Sequence, residues 1–274
     1  MCVRTVIVVI GYLFGDIRLP HLLFITSFNS RYCYIADKIV SFFSVPRSRS
    51  DRRKDAAKGK VAKVNVVLVG DSMFRPHRVE RYLPIFEGVV RRKAMGAESV
   101  QLVSHPPLSF PGGSCANLIV YRRLLEQVRA VCEKHTGEVV AIPLWIGGNG
   151  FYTRQGTMTS EGRVREELGR YLDLIKAILE QNLNACVLVL GLPPRPRCAY
   201  QRSALAAANL QLREGVLGLN SNRVAFDDVA PLLINRSHLY DRDGVHLTPG
   251  GTEVILTRVS QLVKYQLPLL VERR

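Results

Sequence analysis

The sequence predicts an α/β fold of three layers, with a sheet of about five parallel strands between two layers of helices. Two observations carry that expectation. From residue 64 onward, short apolar runs of strand length alternate with longer segments of helical periodicity, which is the pattern of βαβ units. The runs are apolar nearly throughout rather than alternating, as befits strands covered on both faces.

The elements follow in order. Residues 64–69 form an apolar run of strand length. Residues 78–93 mix apolar and basic positions and predict a helix. Residues 99–104 predict a short strand. Residues 116–134 place Leu118, Ile119, Leu124, Leu125, Val128 and Val131 at helical spacing. Residues 138–146 predict a second strong strand. Residues 160–181 carry the clearest helical signal: Ser160 is a capping residue, and Val164, Leu168, Leu172, Ile175 and Leu179 form an apolar stripe. A third strong strand at 185–190 stops at Gly191 and Pro193. A helix at 203–217, a short strand at 223–226 and a last helix at 248–266 complete the pattern.

The 274 residues are 47% hydrophobic, enough for a sizeable core. Formal net charge is +15, unevenly spread. Residues 1–63 carry 12 Lys/Arg against 4 Asp/Glu, and residues 64–274 carry 26 against 19. The densest basic run, 46–63, reads as a solvated linker with possible weak contact to nucleic acid or an anionic membrane surface. No interleaved aromatics there suggest base stacking. We therefore divide the chain into an N-terminal apolar extension with a basic linker, residues 1–63, and an α/β domain, residues 64–274. The run at 5–14 has the length of a signal-peptide core, but Asp16 and Arg18 make it short for a membrane span. An extension is favoured over a signal or anchor, and an intracellular setting over a secreted one. Six scattered cysteines have no C-x-x-C spacing, and several read as buried thiols.

Ligands of parallel sheets sit beyond the carboxyl ends of the strands. The residues that follow each strand are Gly70-Asp71-Ser72, then Phe110-Pro111-Gly112-Gly113-Ser114, then Gly147-Gly148-Asn149-Gly150, and finally Asp243-Gly244-Val245-His246 before the last helix. Taken singly, each has a local explanation: a turn and helix cap, a plain loop, a left-handed asparagine, and a turn before a helix with Pro249 at its first position. Together they contain a serine, a histidine and an aspartate, the parts of a nucleophilic hydrolase.

In this order and spacing the chain resembles the SGNH hydrolases, also called GDSL-type esterases and lipases. The likeness covers residues 64–266. It implies a flavodoxin-like three-layer domain. It assigns Ser72 as nucleophile, His246 as general base and Asp243 as its orienting partner. It assigns the oxyanion donors to the backbone N–H of Ser72 and Gly113 and the side-chain amide of Asn149. One departure stands out, because the third block commonly reads Gly-x-Asn-Asp and Gly150 stands where the aspartate would be. FPGG and YDRDGVHLTPGG further resemble the esterase-like domains of LINE-type retrotransposons. The reading is a serine esterase for acetyl or short acyl groups on a small-molecule, carbohydrate or lipid ester, with no cofactor. The competing readings are an inactive binding module of the same fold, for a polyanion or an acylated ligand, and a membrane-tethered esterase.

Other polar residues attract weaker expectations. His77 and His105, near the first two strand ends, read as surface residues, with lining the site as the alternative. His238 lies on an approach loop with no assigned partner, and Trp145 reads as packed in its strand. Arg195 and Arg197 read first as solvated loop cations, with contact to an anionic substrate as the alternative. Asp227-Asp228 has no metal-ligand partner set, and no metal is implied.

Overall fold

The structure, a computed structural model, describes residues 7–10, 21–24, 62–91, 99–115, 117–146, 148–153, 156–196 and 201–271. The chain separates into two units, Met1–Ala57 and Lys58–Arg274. In the first, β1 (Ile7–Ile10) pairs antiparallel with β2 (His21–Phe24), Ile7 lying opposite Phe24. The remainder of the 5–14 run, residues 46–61 of the basic run, and Cys2, Cys33 and Cys198 lie outside the described residues. No helix among the described residues is long and apolar enough to cross a membrane.

The second unit is built on a six-stranded sheet. Its strands are β3 (Ala62–Gly70), β4 (Gly88–Arg91), β5 (Ser99–Ser109), β6 (Val139–Trp145), β7 (Ala185–Leu190) and β8 (Val224–Asp227), in the order β4-β5-β3-β6-β7-β8. Five of them run parallel, and β4 pairs antiparallel with β5 at the edge. This corrects two expectations, the strand count and the helix at 78–93. That segment instead holds a single helical turn, α1 (Pro76–Val79), a 3-10 stretch over Glu80–Phe86, and β4. Pro84 lies inside the 3-10 stretch and lacks the N–H that an α-helix requires. Gly88 then turns the chain at φ +121°, and the β-branched Val89 and Val90 favour extension.

The remaining helices are α2 (Leu118–Lys134), the single turn α3 (Gly148–Phe151), α4 (Glu161–Gln181), α5 (Arg202–Gly218) and α6 (Pro249–Val271). The strand period of two sorts the core into two clusters. Val67 and Val69 of β3, Val140, Ile142 and Leu144 of β6, and Val187 and Val189 of β7 pack under α2, α4 and α5. Their sequence neighbours Val66, Leu68, Ala141, Leu188 and Leu190 pack under α6 and the turns that follow β3. Both faces of the sheet are therefore covered, which is why the strands are not amphipathic. Cys115, Cys132 and Cys186 are buried within these layers.

Helix starts are set locally. Asn117 caps α2 by accepting from the N–H groups of Ile119 and Val120. Ser160 occupies the N-cap of α4, but its hydroxyl makes no capping bond. Pro249 opens α6, and Thr248 Oγ1 accepts from Gly251 N–H at 3.2 Å. The strand at 99–104 runs on to Ser109 through Pro106 and Pro107. A bulge makes this possible: His105 pairs with Val67, but Leu108 pairs with Val69, so one extra β5 residue is accommodated. The prolines lie past Leu102, where the β4 pairing has already ended.

Candidate active site

The carboxyl ends of β3, β5 and β6 are fastened to one another. Asp71 N–H donates to Trp145 O at 3.2 Å, and Phe110 N–H donates to Gly70 O at 2.8 Å. Gly70 is required here, since a Cβ would lie 2.5 Å from Trp145 O. The chain leaves β3 into a 3-10 turn, Ser72–Phe74, capped by the Asp71 carboxylate through Met73 N–H at 3.0 Å. Ser72 opens that turn, where its N–H has no intrahelical acceptor.

The residues 241–247 form a tight loop before α6. Asp241 N–H donates to His246 O at 2.8 Å, Tyr240 and Leu247 form a bridge, and Gly244 takes φ +66°. Asp243 Oδ1 accepts from the N–H groups of Val245 and His246, at 2.8 and 2.9 Å. Its Oδ2 meets His246 Nδ1 at 2.5 Å. This explains the three-residue spacing: one carboxylate both closes the loop and holds the ring. The opposite ring nitrogen, Nε2, lies 2.9 Å from Ser72 Oγ, across 174 residues of chain.

Electrostatics set the proton positions. Desolvation acts to raise the Asp243 carboxyl, but the hydrogen bonds from the His246 ring and from the His246 and Val245 backbone outweigh it and hold the group down at about 2. Asp243 therefore only accepts. Nδ1 then donates to it, and in that tautomer Nε2 is the ring nitrogen that can accept from the serine hydroxyl.

Asn149 Nδ2 donates to Gly113 O at 3.3 Å, which joins the second and third blocks beside Ser72. One amide hydrogen of Asn149 is left for another acceptor. The N–H of Gly113 donates to Phe110 O at 2.8 Å, so in this conformation it closes its own turn. Glycine is needed at 113 for packing as well: a Cβ would lie 2.7 Å from Phe110 O.

Several residues that bear on the site were not legible as site residues in the sequence. Asp71 is buried and bridges two blocks, accepting from the N–H groups of Met73 and Gly148. Burial pushes its carboxyl up to about 6, against those two N–H groups and the charges of His246 and Arg195. Arg78 on α1 donates through Nη1 to Asp241 Oδ2 and to Leu247 O, both at 2.9 Å, and so clamps both ends of the histidine loop. Glu167 on α4 is fully buried, and its Oε1 accepts from Ser114 Oγ at 2.7 Å. A signal for Glu167 existed: it stands at an inward position of the apolar stripe, three residues after Val164.

The other sequence candidates are dispersed. His77 and His238 are exposed. His105 Nε2 pairs with Asn65 Oδ1 at 2.8 Å and its ring lies against His135, among residues at the amino ends of β3 and β6. Trp145 is buried and donates from its indole N–H to Gly191 O at 2.9 Å. Asp227 pairs with Arg258 at 2.8 Å, and Asp228 accepts from Asn209 and Ala230. Arg197 lies outside the described residues. Arg195 lies over the Tyr152 ring at 4.2 Å and donates to Gly148 O at 3.3 Å. Among the described residues, no group of three or more His, Cys, Asp or Glu is placed to hold a metal ion.

A cavity of about 20 Å³ opens at Ser72, walled by Asp71, Trp145, Asn149, Tyr152 and Arg195 among others. Water itself needs about 10–15 Å³ of such space, so the cavity suits a small group.

Two solved structures share this architecture. A lipase/acylhydrolase from Enterococcus faecalis matches at a TM-score of 0.50 and 16% identity, over 74% of this chain and 96% of its own. A mutant acetyl esterase solved with an acetate ion matches at a TM-score of 0.50 and 14% identity, over 77% of this chain and all of its own (100%). No protein-family model matches the chain, and no curated protein matches it. At these identities the likeness establishes the shared fold alone, a mostly parallel sheet between layers of helices. It does not bear on the narrower resemblance to retrotransposon-borne domains.

Proposed function

We propose that the chain is a serine esterase of the SGNH type, which cleaves acetyl or other short acyl esters through an acyl-enzyme on Ser72. The observation that carries this reading is the unbroken line from Ser72 Oγ through the His246 ring to Asp243, at 2.9 and 2.5 Å. It lies at the carboxyl edge of the parallel sheet, where such folds bind ligands.

The reaction runs in two halves. Ser72 Oγ attacks the ester carbonyl while His246 Nε2 takes its proton, and Asp243 stabilises the imidazolium that forms. The tetrahedral oxyanion is met by the Ser72 N–H and the remaining amide hydrogen of Asn149. Gly113 N–H joins them when its bond to Phe110 O is shared or released. The carbonyl re-forms, the alkoxide leaves, and His246 returns the proton to it. A water molecule then repeats the sequence on the acyl-serine and releases the carboxylic acid. The small cavity at Ser72 favours an acetyl-sized acyl group. The names of the two neighbours, lipase/acylhydrolase and acetyl esterase, are in keeping with this.

The test is covalent labelling of the full chain by a fluorophosphonate, with turnover of 4-nitrophenyl acetate alongside. Labelling and turnover that disappear in both Ser72→Ala and His246→Ala are the expected result. A folded wild type that neither labels nor turns over would overturn the esterase and leave a binding module of the same fold.

A further inference from the structure

A second, larger cleft of about 230 Å³ adjoins the cavity at Ser72 and shares Tyr152 and Arg195 with it. Its volume lies below the ~300–1,000 Å³ of drug-sized sites, so it suits a single ring with one substituent. Three arginines line it, Arg195, Arg202 and Arg236, together with amide and hydroxyl groups, and no carboxylate lines it among the described residues. Three cations on the wall of one cleft whose described lining holds no carboxylate favour an anion in a concave, partly desolvated space. Arg195 is half-buried and held in place by the Tyr152 ring and Gly148 O. Arg202 and Arg236 are exposed, and Arg202 is held by Asn235 Oδ1 at 2.6 Å. Arg202 is also the first residue of α5, whose N-cap Gln201 makes no side-chain capping bond. Its amide carbonyl instead accepts from Met158 N–H. The positive end of α5 thus adds to the same potential.

The two spaces divide a substrate between them. The one at Ser72 suits an acetyl-sized group, and the arginine cleft that shares Tyr152 and Arg195 with it offers room for the rest of the ester. We propose that this enzyme acts on short acyl esters whose alcohol part carries an anionic group (phosphate, sulfate or carboxylate), bound in the cleft by Arg195, Arg202 and Arg236. The assignment rests on the esterase reading above and names the substrate class for it. Planar guanidinium groups suit such oxyanions through paired, charge-assisted hydrogen bonds.

The test compares four acetates on the full chain: phenyl acetate, 4-acetoxyphenyl phosphate, 4-acetoxybenzenesulfonate and 4-acetoxybenzoate. For each, kcat/KM of the wild type is divided by that of the Arg202→Gln/Arg236→Gln variant, so that the intrinsic reactivity of each ester cancels. The expected quotient for at least one anionic ester exceeds that for phenyl acetate by about tenfold or more, and the excess shrinks with added salt. The arms identify which anion is preferred. Should the double variant fail to show a native circular dichroism spectrum, Arg236→Gln alone serves, with an expected excess of about threefold. Equal quotients for all four esters, with turnover intact, would overturn the cleft assignment and leave the esterase standing. No turnover of any ester and no fluorophosphonate labelling would overturn both.

Discussion

A Cβ placed on Gly150 would lie 2.2 Å from Cδ of Glu167 and 2.4 Å from each of its carboxylate oxygens. The resemblance puts an aspartate at position 150. Here that position is bare, and a buried carboxylate reaches the same space from α4. Glu167 also takes the Ser114 hydroxyl, which ties the turn after β5 to α4. Its Oε2 has no hydrogen-bond partner among the described residues. The missing acid of the third block is thus replaced in space by one 17 residues further along the chain.

This pairing predicts non-additive stability. Gly150→Ala alone forces the glutamate aside and should cost about 1–3 kcal/mol, as overpacking does. Combined with Glu167→Ala, the added methyl finds room, and the double variant should lose less than the sum of the single losses. Urea unfolding of the four proteins measures the difference. A strictly additive cycle would show that the two residues do not share this space.

Asp71 makes the protein less stable above pH 6. Its folded pKa, about 6, lies above the ordinary value of 3.8. The native state therefore binds more protons than the unfolded chain between these values, and this contribution to stability, complete below about pH 4, is lost as pH rises through 6. The expected cost at neutral pH is on the order of 3 kcal/mol. Asp71→Asn should flatten the stability profile between pH 4 and 7 while weakening activity, because the carboxylate joins the nucleophile turn to Gly148. Thermal melts across that range check the slope.

Asp243→Asn should lower kcat by about 10⁴ with little change in KM, because an amide cannot hold the ring in the tautomer that leaves Nε2 free. Adding Ser72→Ala to it should cost far less than the two effects multiplied, since the proposed mechanism makes the residues one unit. Steady-state kinetics on 4-nitrophenyl acetate measures both.

Asn149→Ala removes a donor aimed at the site and should cost about 10²–10³ in kcat. Fluorophosphonate labelling should slow in parallel, since the probe also develops an oxyanion. Unchanged kcat would remove Asn149 from the oxyanion assignment.

Arg78→Ala frees the loop that carries Asp243 and His246 from α1. The expected loss is about tenfold or more in kcat, as small misplacements of catalytic groups are costly. Arg78→Lys keeps a cation within reach of Asp241 and should recover part of it. Equal rates for the alanine variant and the wild type would show that the loop holds its shape by its internal bonds alone.

Much of this was legible in the residues. β3, β6 and β7 are continuous apolar runs, and α4 has an apolar stripe, so burial alone dictates their form. Ser72, Asn149 and the Asp243–His246 pair stood out as polar groups at strand ends and before the last helix, and the resemblance to the SGNH hydrolases joined them into one site. The edge strand β4 was not legible: its four residues carry too short a pattern, and the helical reading of 78–93 failed at Pro84 and Gly88. The grip of Arg78 on Asp241 spans 163 residues, and no periodicity links the two.

The sequence by itself determined the layers, the order of the strands' neighbours along the chain and the chemical groups at the sheet edge, because each depends on spacing over a few residues. Only the tertiary structure decided that Ser72 and His246 meet, that Glu167 fills the space beside Gly150, and that Arg195, Arg202 and Arg236 surround one cleft. Those relationships depend on which sheet edge each loop reaches and at what distance, and a chain's spacing carries that information only after its strands have paired.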